Sequence, residues 1–234
     1  MKGPLDTVDL GAESGEDLQV STAALTARLE ALRERMRELG LKPADSESMR
    51  LRLDEAALLL ELEQDRDAHG IGLQVLELAL QSRDWEQAAA ACDLVVRCGH
   101  DDALEILGQG VWLAVTFPVE PELSVALLQH IIDETPDDAD GAAVAAATAA
   151  YIVDLRTEGR KRDDLGFFAT QLLGDVARRH GQVNDQQQFD DWVNRLELDE
   201  PDKFLVRLRN VVDVLVQDNW LFDRDQLRAE LPVQ

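Results

Sequence analysis

Apolar residues along this chain recur in alternating steps of four and three, and that spacing calls for helices. The clearest stretch is Leu25, Leu29, Leu32, Met36 and Leu39, a stripe that the helical repeat gathers on one side. Ser21 or Thr22 stands before it as an N-cap, Gly40 closes it, and Pro43 bars its extension. A second helix starts near Asp45–Ser48 and runs through Met49, Leu53, Ala56 and Leu60 to about His69–Gly70, so the two make a helical hairpin. Composition agrees: the 234 residues lean on Ala and Leu, with 5% aromatic, a mix that disfavours sheet. Val111–Phe117 alone has a strand-like alternation, and it too reads as helix.

Beyond Ile71 the helices shorten. They are expected at Ile71–Gln81, Trp85–Arg97, Ala103–Val115, Pro121–Glu134 and Ala142–Leu155, separated by turns rich in Asp, Gly and Pro. The Ala-rich run Ala142–Ala150 lets helix axes approach closely, so it belongs in the middle of a packed layer. A turn over Thr157–Asp164 carries the dense basic cluster Arg160-Lys161-Arg162. After it come a helix over Leu165–His180 ended by Gly181, a Gln-rich loop over Val183–Gln188, and a short helix over Phe189–Leu196. A long amphipathic helix over Phe204–Gln217 and a terminal turn capped by Asp223 complete the chain. The chain therefore divides into a flexible acidic tail (1–20), an N-terminal hairpin (21–70), a central block (71–156) and a C-terminal helical cap (157–234). The expected class is all-α, as stacked antiparallel helical hairpins.

Within the central block, Ala79-Leu80-Gln81-Ser82-Arg83-Asp84-Trp85-Glu86-Gln87-Ala88 resembles the tetratricopeptide (TPR) helical repeat, over the end of its first helix, its turn and the start of its second. Gly99-His100-Asp101-Asp102-Ala103 is similar to the turn that ends such a repeat. The pattern returns in Pro121-Glu122-Leu123-Ser124-Val125-Ala126 and Thr135-Pro136-Asp137-Asp138-Ala139. The matching alanines, Ala88 and Ala126, lie 38 positions apart, near the family's period of about 34. The resemblance covers about residues 71–155 and implies stacked hairpins that bind a partner protein on a concave face.

Charge narrows the partners. With 47 acidic and 23 basic side chains the formal net charge is -24 and the pI near 4.3. Such a surface repels phosphate backbones and anionic lipid heads, which argues against direct nucleic-acid or membrane binding. Lys2 leads into a polar, acidic stretch without an apolar signal core, and the apolar run Gly141–Val153 is too short to span a bilayer. A cytoplasmic location is expected.

Reactive chemistry finds little footing. Cys92 and Cys98 sit six apart in an apolar run with His100 nearby, a spacing that points the thiols away from a shared zinc and reads as core thiols beside a turn histidine. The acid runs at Asp137–Asp140 and Asp65–Asp67 lack a calcium loop's final carboxylate, because Ala147 and Leu76 stand there. No nucleophile elbow, P-loop or dinucleotide fingerprint occurs. The expectation is no catalytic, cofactor or metal residue, and no enzyme. Trp85 and Trp112 read as core, whereas Trp192, Trp220 and Phe222 read as surface anchors for a partner. Arg160, Lys161 and Arg162 could dock an acidic partner or phosphate, and the N-terminal hairpin's stripe could seed a homodimer. The leading function is a protein–protein interaction module, an adaptor or assembly chaperone. The alternatives are an acidic nucleic-acid mimic that blocks a DNA- or RNA-binding protein, and an all-α enzyme with an unrecognised cofactor.

Overall fold

A computed structural model describes the backbone of residues 10–231, with side chains described from residue 21 onward. The described residues form eleven helices and no strand: α1 (Leu10–Leu39), α2 (Ser46–Glu61), α3 (Asp65–Ser82), α4 (Trp85–Arg97), α5 (Ala103–Thr116), α6 (Pro121–Glu134), α7 (Gly141–Arg156), α8 (Gly159–Gly181), α9 (Gln186–Leu196), α10 (Pro201–Val216) and α11 (Arg224–Ala229). The all-α expectation holds: Val111–Thr116 forms the end of α5, and Phe117 is its C-cap.

Each of the first eight helices packs on the next, as short turns between antiparallel neighbours require. Alternate helices also meet: α2 touches α4, α4 touches α6 and α6 touches α8, which makes one row of even-numbered helices. On the other side α10 packs against both α5 and α7. Its buried stripe is Phe204, Leu208, Val212 and Val216, at the four-residue spacing that stacks side chains on one helix face. Two glycines let α5 sit this deep. A Cβ on Gly108 would lie 2.5 Å from Val216 Cγ2 of α10, and one on Gly110 would lie 2.7 Å from Cys92 Cβ of α4. α5 is thus held between α4 and α10 at a distance that no larger residue fits. The run Ala142–Ala149 of α7 is buried throughout, as its composition requires.

Several boundaries differ from expectation, each for a local reason. α1 reaches back to Leu10, past the cap expected at Ser21 or Thr22. Good helix formers such as Ala12, Glu13, Glu16 and Leu18 extend a nucleated helix without an apolar stripe. Of the flexible tail expected over residues 1–20, residues 10–20 belong to α1, and residues 1–9 lie outside the described residues. The second helix stops at Glu61 and not at His69–Gly70. Glu63 takes a left-handed φ of 58°, and the Gln64 N–H closes on the Leu59 carbonyl at 2.9 Å, a C-cap in which no glycine marks the stop. α3 then runs unbroken through residues 70 and 71.

The basic cluster also moves. The turn is only Thr157–Glu158, so Arg160, Lys161 and Arg162 lie on the first turn of α8 and not in a loop. α8 includes Gly181, and Gln182 takes the left-handed cap. Gly181 is needed for contact: a Cβ there would lie 2.5 Å from Trp192 Cδ1. The Gln-rich loop is shorter than expected, because Asp185 caps α9 by accepting from the Gln188 N–H at 2.9 Å.

Candidate functional site

The residues expected to bind a partner do not converge. Trp192 is only 2% exposed and is no surface anchor. Its indole N–H donates to His180 Nδ1 at 3.1 Å, while His180 Nε2 faces Asp140 at 3.2 Å and Arg207 reaches the same carboxylate at 2.7 Å. It pins the start of α7 and the end of α8 to α9 and α10. The basic cluster is engaged within the chain. Lys161 pairs with Glu120 and Glu122 at 2.7 and 2.8 Å, Arg162 pairs with Asp154, and Arg160 stands in solvent beside Asp164. The Lys161 ammonium holds the Glu122 carboxyl below its ordinary pKa and is itself raised by Glu120 and Glu122.

Cys92 and Cys98 are buried free thiols, and burial raises the pKa of both, the condition of inert core cysteines. The Cys98 thiol faces the Leu94 carbonyl at 3.3 Å, and His100 stacks on His69 with ring centres 4.2 Å apart. Asp102 accepts from His69 Nε2 at 2.9 Å.

Trp220 and Phe222 fall in a better-built place. They close a row of aromatic rings that begins with Trp85, stacked on Phe117 at 4.2 Å. Phe117 meets the edge of Trp112 at 6.0 Å, and Trp112 meets Phe222 at 5.2 Å and Trp220 at 6.3 Å. Stacked and edge-on pairs at these separations are the favoured arrangements of aromatic quadrupoles. Two guanidinium groups cover the row from α11: Arg224 lies 3.9 Å over the Trp220 ring and Arg228 5.7 Å over Trp112. The indole N–H groups of Trp112 and Trp220 are both buried and have no hydrogen-bond partner among the described residues. A buried donor left so costs about 1–3 kcal/mol.

Two clefts flank this row and share Val115 and Thr116. The smaller, about 220 Å³, lies between α5 and α10, with Trp112 and Val212 in its wall and Arg209 and Arg228 at its rim. The larger, about 770 Å³, opens between the start of α4 and the ends of α5 and α7, lined by Arg83, Trp85, Phe117, Leu155 and Arg156. Arg156 is half-buried, and burial alone holds its guanidinium below the ordinary pKa. Its Nη1 donates to the Ala114 and Val119 carbonyls at 2.8 and 3.2 Å, and Nη2 to the Val115 carbonyl at 3.0 Å. The Ala114 and Val115 carbonyls end α5, where a cation is favoured by the helix dipole, and the Val119 carbonyl lies in the turn before α6. A guanidinium has five donors, so Nε–H and one Nη2 hydrogen remain for another acceptor.

The sequence could reveal Trp220 and Phe222 as anchors but not Arg83 and Arg156. Nothing local distinguishes those two arginines from the other seventeen. No known family model matches the chain, and no curated protein or solved structure is significantly similar to it. No helix among the described residues is long and apolar enough to cross a membrane.

Proposed function

We propose that this chain is a protein–protein interaction module, an adaptor or assembly chaperone, built as a TPR-like stack of hairpins. The row formed by α2, α4, α6 and α8 supports the stacking. The space between α5 and α7 is filled by α10 of the same chain, so the partner is taken at the aromatic clefts beside it. One observation carries the reading. Two orphaned indole donors lie in one aromatic row beside apolar clefts, and Trp with Arg is the side-chain set that dominates protein interfaces. A catalytic centre would instead need a nucleophile beside a base or a general acid–base pair, whereas these linings hold Thr116 and one carboxylate, Glu230, which is paired with Arg83.

The test is co-purification of the untagged chain from its own cells, run beside two single-site variants. Leu155 lines the larger cleft and is 64% exposed, whereas Val214 is 72% exposed and lines neither. A stoichiometric protein partner is expected, lost with Leu155→Asp and kept with Val214→Asp. A chain that travels alone, or a partner lost equally with both variants, would contradict the proposal. Homodimerisation through α1 and α2 would appear in the same experiment as a doubled mass without partner. In the described packing, the stripe of α1 faces α2 within the chain, with Leu29 buried and Arg33 paired to Glu55 at 2.7 Å.

A further inference from the structure

The aromatic clefts reverse the charge of the molecule. Acids outnumber bases 47 to 23 in the chain, yet the linings of the two clefts hold Arg83, Arg156, Arg209 and Arg228 against a single carboxylate, Glu230. That carboxylate comes from the segment at the end of α11. Glu230 pairs with both Nη atoms of Arg83, the Nη2 contact at 3.0 Å, across 147 residues of sequence. Leu227 and Leu231, four residues apart, enter the same cleft on either side of it.

The hold on this segment is light. No residue of α11 is buried. The preceding loop is anchored where Gln109 Oε1 accepts the Leu221 N–H at 2.9 Å. Past that point the polar attachments are Arg224 to Asp213, Arg83 to Glu230, and the two guanidinium–indole contacts. The Arg83–Glu230 pair is exposed, and such pairs are worth about 1 kcal/mol or less and weaken in salt. The Arg224–Asp213 pair is part-buried, and Leu227 and Leu231 add only partly buried apolar contact. The rest of the cleft, the Trp85–Phe117 stack and the uncommitted edge of Arg156, is firmly set by α4, α5 and α7.

We propose that α11 is a built-in occupant of this cleft, and that the partner segment displacing it has the same chemistry: two aliphatic side chains one helical turn apart beside a carboxylate. This inference rests on the interaction-module reading and specifies its partner. Arg83 takes the carboxylate, the aliphatic pair lies against Trp85, Phe117 and Leu155, and Arg156 offers its free Nε–H and Nη2–H edge to a second acceptor. The molecule is acidic elsewhere, so an acidic partner is repelled from most of its surface and drawn to this one. Release of α11 raises the apparent affinity in proportion to the fraction of open molecules.

A fluorescein-labelled peptide of the sequence Asp223–Leu231, titrated into the full chain at low salt and read by anisotropy, tests this directly. Glu230→Ala removes the internal competitor's carboxylate and is expected to bind the peptide about threefold tighter than the wild type. Arg83→Glu, made on the Glu230→Ala chain so that no internal carboxylate is repelled by it, is expected to bind about fivefold weaker than Glu230→Ala, and a peptide carrying Arg in place of its Glu is expected to recover the loss. Unchanged helical circular dichroism shows that both variants fold. Equal affinity for wild type, Glu230→Ala and the double variant, absence of binding to all three, or failure of the charge-swapped peptide to recover binding would overturn the proposal. A native partner that co-purifies equally with all three chains would then place the interaction elsewhere, so the two readings fail separately.

Discussion

Gly108 and Glu86 show how single positions set both the packing and its response to pH. A methyl group on Gly108 would meet Val216 Cγ2 at 2.5 Å and the Val212 carbonyl at 3.3 Å. Overpacking of this kind costs about 1–3 kcal/mol, against the about 1 kcal/mol that Ala gains over Gly in a helix. Gly108→Ala is therefore expected to lower the urea midpoint although it improves helix propensity; a raised midpoint would mean that α10 is free to shift. Glu86 accepts the Glu120 N–H at 2.9 Å. Burial first, then the neighbouring carboxylates of Glu120, Asp84 and Glu122, raise its pKa above the ordinary 4.5. The protonated carboxyl's contribution to stability is fully present below pH 4.5 and is lost as pH rises through the higher folded value. Glu86→Gln keeps the acceptor and removes the charge, so it is expected to raise Tm at pH 7, with the gain vanishing below pH 4.5. A gain of equal size at both ends of the titration would contradict this origin.

At the level of elements, Arg156 ties the end of α7 to the end of α5 and to the turn that follows it through three backbone carbonyls. Hydrogen bonds from a charged donor are worth about 1.5–3 kcal/mol where burial protects them. Arg156→Met keeps the apolar stem, and it is expected to lose about 2 kcal/mol by urea denaturation. Less than about 0.5 kcal/mol would show that water replaces the guanidinium without penalty. The helices themselves were legible where punctuation is chemical. Asp84 caps α4 and Pro121 opens α6, and both helices begin and end where the sequence indicates. The break between α2 and α3 was not legible, because Glu63 holds a left-handed conformation that a glycine usually marks. Arg83, Gln182 and Glu197 do the same at later turns, and Gln217 takes a positive φ with a different ψ. α8 does end at Gly181, but the left-handed cap falls on Gln182 and the missing side chain of Gly181 makes room for Trp192. Within the candidate site, Trp220 and Phe222 stood out as large apolar residues in a polar turn. The Arg83–Glu230 contact joins residues far apart in sequence and exists only once the helices have packed.

For the molecule as a whole, a tightly interlocked body carries a loosely attached end. α5, α7 and α10 share the buried face that Gly108 brings together, so their amides should open only with global unfolding. α11 fully buries none of its residues and is held by two ion pairs and by Leu227 and Leu231, which are only partly buried, so it should open alone and often. Native-state hydrogen–deuterium exchange of the full chain, resolved by peptide, measures both at once. The expected result is strong protection across 103–116, 141–156 and 201–216, together with exchange at 224–229 that is orders of magnitude faster and quickens further in salt. Protection of 224–229 equal to that of 201–216 would contradict the account, because a segment locked into the body cannot give way to a partner.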